Sequence, residues 1–346
     1  MPDEISKMRT LLRSGDLLEI GARSKSTPQT RPSTLALAAA FTAIYIIWGS
    51  TYLGIRYAVE TLPPLLMMGV RHLGAGALLY GWTRMRGTPA PTLREWLHPA
   101  LIGGLLFLGG HGSLAWAEQH VPSGIAALLV ATLPMWIVVL ARFKGTEKKL
   151  SRRALAGLLL GFVGVAVLFG PDLWGHTGEV NLLGAAAVLG GTFIWAAGTI
   201  YMRSVKMPDS PVISSAMQML AGGGALMFAA ALTGETKGFH MSAVSGRSWL
   251  ALVYLAVFGS IVAFTAYSWL HTVASPSRVS TYAYVNPVVA VLLGWVVARE
   301  PIGVFTILAM LIILAGVALV NTGHREEHEP ERANGAESAE EEEAVA

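Results

Sequence analysis

The 346-residue chain contains no cysteine, which excludes disulfides, thiolate metal sites, iron–sulfur clusters and cysteine nucleophiles together. Charge is scarce as well. Asp, Glu, Lys and Arg make up 14% of the residues, against roughly 25% in an ordinary soluble domain. Also missing are the metal-protease His-Glu-x-x-His, a paired-aspartate prenyl-transfer motif and a Gly-x-Ser-x-Gly nucleophile elbow, so no signature of an intramembrane enzyme is present. His328-Glu329 lacks its partner histidine. Nor does the sequence contain a ring of charge or a repeated carbonyl filter of the kind a channel uses.

What fills the chain instead is apolar. Hydrophobic residues reach 53% and the mean hydropathy is +0.53. Blocks of about 20 residues, long enough at 1.5 Å per residue to cross a hydrocarbon core about 30 Å thick, fall at 35–55, 65–83, 99–117, 123–141, 154–170, 182–202, 212–232, 249–270, 279–298 and 303–321. This pattern predicts an all-α membrane protein with ten transmembrane helices. Residues 1–34 read as a polar cytoplasmic extension without a signal-peptide core, in which Ile5, Met8, Leu11, Leu12 and Leu18 could form a short amphipathic surface helix. Residues 322–346 read as an acidic, disordered cytoplasmic tail.

Residues 1–321 hold 23 Lys and Arg against 13 Asp and Glu, a balance of +10. On a membrane core such a balance reports topology and anionic lipid, and nucleic acid is not an expected partner. With the N-terminus inside, alternate loops carry twenty basic residues on the cytoplasmic side and four outside. That bias predicts an inner-membrane protein with both termini cytoplasmic.

The sequence also repeats itself. At an offset of 147, Trp48 meets Trp195, Arg56 meets Arg203, Pro64 meets Pro211 and Gly76 meets Gly223. At an offset of 153, Trp96 meets Trp249, Trp116 meets Trp269, Pro134 meets Pro287 and Glu147 meets Glu300. Two five-helix halves, 35–170 and 181–321, follow. Because five is odd, the second half enters the membrane from the other side, which predicts two inverted repeats with a solute site between them.

The run Trp48-Gly49-Ser50-Thr51-Tyr52-Leu53-Gly54-Ile55-Arg56, with Pro63-Pro64, Arg71, Trp116-Ala117-Glu118-Gln119, Pro122-Ser123-Gly124, Pro134, Asn286-Pro287 and Arg299-Glu300-Pro301, resembles the EamA family of the drug/metabolite transporter superfamily. The resemblance spans residues 35–321. It implies a ten-helix inverted-repeat exporter of amino acids, related metabolites or toxic compounds, with a central cavity lined mainly by helices 1, 3, 4, 6, 8 and 9. His111 departs from the pattern, where close relatives often carry Asn, so a proton-coupling role for His111 does not carry over to the family at large.

Polar residues within apolar spans are expensive and normally face the bundle interior or a wet cavity. At helical spacing they form stripes: Trp48, Thr51 and Tyr52 on helix 1; Thr192, Trp195 and Thr199 on helix 6; Ser260, Phe264, Tyr267 and His271 on helix 8; Tyr282 and Asn286 on helix 9. Trp48 and Trp195 are expected on opposite sides of the cavity, offering ring faces to an apolar or cationic group. The alternative for both is lipid-facing packing or an interfacial belt, which suits Trp116 and Trp269 better. Arg71, inside helix 2, either ties to backbone or snorkels, or pairs with a solute carboxylate. Its repeat mate is Gln218.

His111, Ala115 and Glu118 share a face of helix 3, with Glu118 expected at a wet outer end. If transport is proton-coupled, His72, His111, His271 and Glu118 are the titratable candidates; if none titrates, the protein is a facilitator. Pro134 and Pro287 each remove a helical hydrogen bond, making hinges or ligand contacts. Glu147 and Glu300 suit helix capping or a local ion pair better than a gate. Gly157 and Gly161 suit close helix packing and do not predict a dimer. No cofactor or metal is called for. The expected partners are a small-molecule solute and the lipid bilayer, with a monomer plausible. A nucleotide-sugar or sugar-phosphate carrier on the same fold is the competing reading, but phosphates call for several buried Lys or Arg, and one lies within the spans.

Overall fold

A computed structural model describes residues 33–144, 152–173, 181–208, 210–274, 276–279 and 281–322. The amphipathic stretch near the N-terminus, Glu147 and the acidic tail lie outside these residues, as does the His271 side chain.

All regular structure among the described residues is helical. The longer elements are α1 (Thr34–Ala58), α2 (Pro64–Met85), α3 (Leu93–Ala117), α4 (Ser123–Phe143), α5 (Arg152–Leu173), α6 (Leu182–Met202) and α7 (Pro211–Leu232). They are followed by α8, which runs from Gly246–Tyr254 through Leu255–Val262 into Ala263–Val273, then α9 (Tyr282–Ala298) and α10 (Val304–Thr322). Seven of these helices are long and apolar enough to cross a membrane, and α9 is a shorter apolar helix. Contacts divide the chain at Ala38. In the first unit Ser33 begins α1, its Oγ accepting from the Ala36 N–H at 3.1 Å. Everything from Ala39 onward is the second unit.

Local chemistry sets the helix starts. Pro64 and Pro211 occupy first-turn positions, where a missing N–H costs nothing. Asn181 and Ser245 cap α6 and α8 through Gly184 and Ser248 N–H groups.

Small residues set the packing, as expected where lipid supplies no hydrophobic drive between helices. Gly69 of α2 lies against Met227 of α7, Leu73 against Gly223, and Gly76 against Met219 and Leu220. Numbers rise along one helix as they fall along the other, so the two run antiparallel. Their crossing centres on Gly74–Ala75 opposite Ala221–Gly222, the same repeat positions at the offset of 147. α5 and α10 behave alike: Gly157 meets Leu319 and Val320, Gly164 meets Ile312 and Ile313, and Gly316 meets Gly161. That crossing centres on Gly161–Phe162 opposite Leu314–Ala315, again equivalent positions, at the offset of 153. The Gly157/Gly161 pair is therefore spent inside the chain. α6 lies on α3 through Gly184, Gly191 and Gly198, as α1 lies on α8 through Thr51 and Gly54.

Two irregularities occupy equivalent places. Gly104–Gly112 in α3 and Leu255–Val262 in α8 are π-helical, a form that concentrates at functional sites. The prolines, by contrast, differ. Around Pro134 the helix is interrupted between Val130 and Leu133, with Thr132 Oγ1 donating to the Leu129 carbonyl at 2.6 Å, whereas Pro287 sits inside the unbroken α9.

Candidate functional site

The π-helical turn of α8 gathers the first group of side chains. The Trp48 indole Nε1 donates to the Gly259 carbonyl at 3.1 Å, and Arg71 Nε donates to Ser260 Oγ at 3.0 Å. Gly259 permits this convergence: a Cβ there would lie 3.1 Å from the Thr51 methyl and 3.2 Å from Arg71 Nη2. Three helices thus meet on two consecutive residues. The Trp48 ring then packs on Tyr267 (centroids 5.0 Å, 47°) and edge-on against Tyr282 (5.1 Å, 75°), while Tyr267 and Tyr282 meet at 5.9 Å and 83°. Phe264 adjoins Tyr267 at 6.4 Å.

Arg71 is buried, at 4% exposure. Its other polar neighbour is the Met68 sulfur at 3.8 Å, and among the described residues no carboxylate is recorded in ion-pair contact with it. A guanidinium so placed is costly unless another charge or dipole faces it.

A second group forms around Trp195. His111 lies 4.7 Å from its ring and Phe107 meets it edge-on at 6.2 Å and 89°. His72 Nε2 and His111 Nδ1 are 2.9 Å apart in nearly parallel rings, so one imidazole donates and the other accepts. Phe107 covers His72 at 4.2 Å.

These two groups divide the sequence candidates. Trp48, Thr51, Arg71, Tyr267 and Tyr282 come together, while Trp195 and His111 form their own cluster. Thr199 spends its hydroxyl on the Trp195 carbonyl at 2.9 Å, and the Thr51 hydroxyl donates to the Trp48 carbonyl at 2.6 Å. Asn286 is buried, and with its amide nitrogen facing the Tyr282 and Tyr45 carbonyls it donates to both, at 3.2 and 3.3 Å. That makes it a tie between α9 and α1. Tyr52 is half-buried and lies within electrostatic reach of Glu118 and Tyr282. Phe107 and Gly259 carry no polar side chain and so add nothing to a polar stripe in the sequence.

Glu118 departs from expectation. It was expected at a wet helix end, yet it is 0% exposed. It is the first residue beyond the Leu93–Ala117 span. Arg56 Nη1 donates to its backbone carbonyl at 2.6 Å, and Gly184 of α6 packs on the neighbouring Ala117 and Val121. Glu300 lies nearby and accepts from Ser123 N (2.9 Å), Ser123 Oγ (3.0 Å) and Gly124 N (3.2 Å). It caps the start of α4, where the helix dipole favours negative charge.

Other cross-half contacts cluster at that end of the bundle. Glu235 Oε2 accepts from Leu65 and Leu66 N–H groups at 2.9 and 3.0 Å, Thr61 Oγ1 donates to Ser248 Oγ at 2.8 Å, and Arg247 pairs with Glu60.

The EamA-like transporter family matches the chain over residues 34–170 and again over 182–322. The chain belongs to the EamA-like transporter family. As a member it is a membrane transporter rather than an enzyme. It is 43% identical over 291 residues to an uncharacterized inner membrane transporter, YedA, of Escherichia coli strain K12, covering 84% of this chain and 92% of the relative. It is 26% identical over 306 residues to the uncharacterized transporter YvbV of Bacillus subtilis strain 168, covering 86% and 94%. One crystal structure shares the fold, at a TM-score of 0.57 and 23% identity over 86% of this chain and 99% of the other.

Proposed function

We propose that this protein exports a small metabolite, an amino acid or related compound, or an amphipathic drug, across the inner membrane by alternating access. In this reading ten spans form two inverted five-helix repeats, and both termini are cytoplasmic. Two mate pairs, α2 with α7 and α5 with α10, support the inversion. A helix packed antiparallel on its own repeat mate, crossing at equivalent residues, is the contact that a two-fold axis perpendicular to the helices produces. The twenty-to-four distribution of basic residues supports the orientation, and the YedA name supports an inner membrane.

One observation carries the solute site: Trp48, Thr51 and Arg71 converge on the π-helical Gly259–Ser260 turn beneath the Tyr267 and Tyr282 rings. One buried cation beside three aromatic rings suits a modest neutral, zwitterionic or aromatic solute. Trp195, His111 and Thr199 line the opposite side of the cavity, Tyr52 belongs with the first group beside Tyr282, and Pro134, Pro287 and Glu118 move with the gate.

Counterflow in proteoliposomes with labelled neutral, aromatic and cationic amino acids and amphipathic drugs tests this. Exchange by the wild type, reduced about tenfold or more in Trp48→Ala and Trp195→Ala at equal expression, is expected if each ring contributes at least about 1.4 kcal/mol. Wild-type rates in both variants would remove these residues from the site.

A further inference from the structure

The Glu118 carboxyl has no part in the aromatic site, and its surroundings are unusual. Both of its oxygens are buried, and neither has a hydrogen-bond partner among the described residues. The nearest guanidinium contact, from Arg56, goes to the backbone carbonyl of Glu118 and not to its carboxylate. The neighbouring Glu300 carboxylate takes three donors at the start of α4. Two carboxylates in one low-dielectric region do not both keep a charge cheaply, and the Glu118 oxygens lack the donors that would stabilise one.

We propose that Glu118 is a proton-binding site of the transport cycle: its carboxyl holds a proton while this end of the bundle is closed and releases it to water when the end opens. The proposal rests on the alternating-access reading. The chemistry is a single O–H bond, formed on closing and broken on opening, with no other group transferred.

The ionisable groups facing Glu118 are Tyr52 and Arg56 from α1, Arg71 from α2 and Glu300 beyond α9. α6, which meets Ala117 and Val121 through Gly184, brings none at that level. Burial pushes the Glu118 carboxyl well above the ordinary carboxylate range and the Glu300 charge pushes it the same way, while Arg56 and Arg71 pull it back in part. The closed form therefore binds more protons than a hydrated, open one. Acid favours closure. From the ordinary carboxylate range up to the raised value, the open-to-closed ratio grows about tenfold per pH unit.

The absence of native cysteine makes the test direct. Ala127→Cys places a thiol at a buried position one turn along α4 from Gly124. Its labelling by a membrane-impermeant maleimide, added from the side this end faces, is followed between about pH 5 and pH 8. Rates are divided by those of the same cysteine in a Glu118→Gln background, which cancels the thiol's own titration. The ratio is expected to climb with pH, approaching tenfold per unit. A ratio flat across the range overturns the proposal. Infrared spectra of the unmodified protein supply a readout that needs no variant: a protonated-carboxyl carbonyl band persisting at neutral pH is expected, and its absence overturns the proposal. Solute counterflow with flat labelling defeats the proton site alone. pH-dependent labelling without counterflow of any solute defeats the transport reading alone.

Discussion

Trp48 holds two interactions that substitution can separate. Its ring packs on Tyr267 and Tyr282, and its indole N–H binds the Gly259 carbonyl on the π-helical turn. Trp48→Phe keeps most of the ring packing and removes the donor, leaving the Gly259 carbonyl without that partner. A net hydrogen bond of about 0.5–1.5 kcal/mol predicts a two- to tenfold weaker half-saturation in counterflow with the maximum rate retained, whereas Trp48→Ala lowers both. Equal effects of the two substitutions would show that the N–H contributes nothing. The first cluster was legible in sequence because a polar or aromatic residue stands out on an apolar helix, and Trp48, Thr51, Tyr267 and Tyr282 were found that way. Gly259 and Phe107 were not, since neither has a polar side chain. Glu118 was found but misplaced. A helix end is wet only if nothing covers it, and packing from other helices is not written in the spacing along one helix.

Among the elements, α3 and α8 are shaped by their π-helical segments, which insert a residue into a turn and rotate everything beyond it. Polar stripes at a fixed helical period therefore place residues correctly on one side of the segment and shift them on the other, so the approach of Ser260 to Arg71 could not be read from spacing. α4 shows what spacing does reveal. Pro134 marks its interruption and Ser123 its start, and both were legible. The source of its cap was not, since Glu300 arrives from the end of α9. Removing that carboxylate leaves two N–H groups and a hydroxyl of α4 short of an acceptor. Glu300→Ala is expected to lower the stability of the detergent-solubilised protein by about 1–2 kcal/mol, seen as a reduced Tm, while Glu300→Gln, which keeps a carbonyl acceptor, loses roughly half as much. If both variants melt with the wild type, the cap is not holding α4.

At the scale of the molecule, the contacts between halves are of two kinds. Along α2–α7 and α3–α6 they are mainly glycine against backbone or apolar side chain, the kind that lets packed helices slide or rock, with Trp48 to Gly259 and Arg71 to Ser260 as polar ties at the site. Those at the end where α2, α4 and α8 begin are polar and specific: Glu235 to α2, Glu300 to α4, Arg247 to Glu60, and Thr61 to Ser248. The repeat offsets could not show these contacts, because they join residues far apart in the chain. If the halves rock about the glycine crossings, this polar end must part in every cycle. Thr61 and Ser248 hydroxyl oxygens stand 2.8 Å apart, close enough for a disulfide of about 2.05 Å after a small adjustment. In the cysteine-free chain, Thr61→Cys with Ser248→Cys forms one cross-link and no other. Oxidation is expected to reduce counterflow at least tenfold and reduction to restore it, with each single variant insensitive to oxidant. Full counterflow by the oxidised double variant, with the cross-link verified by mass spectrometry, would mean that this end stays shut and the solute leaves by another route.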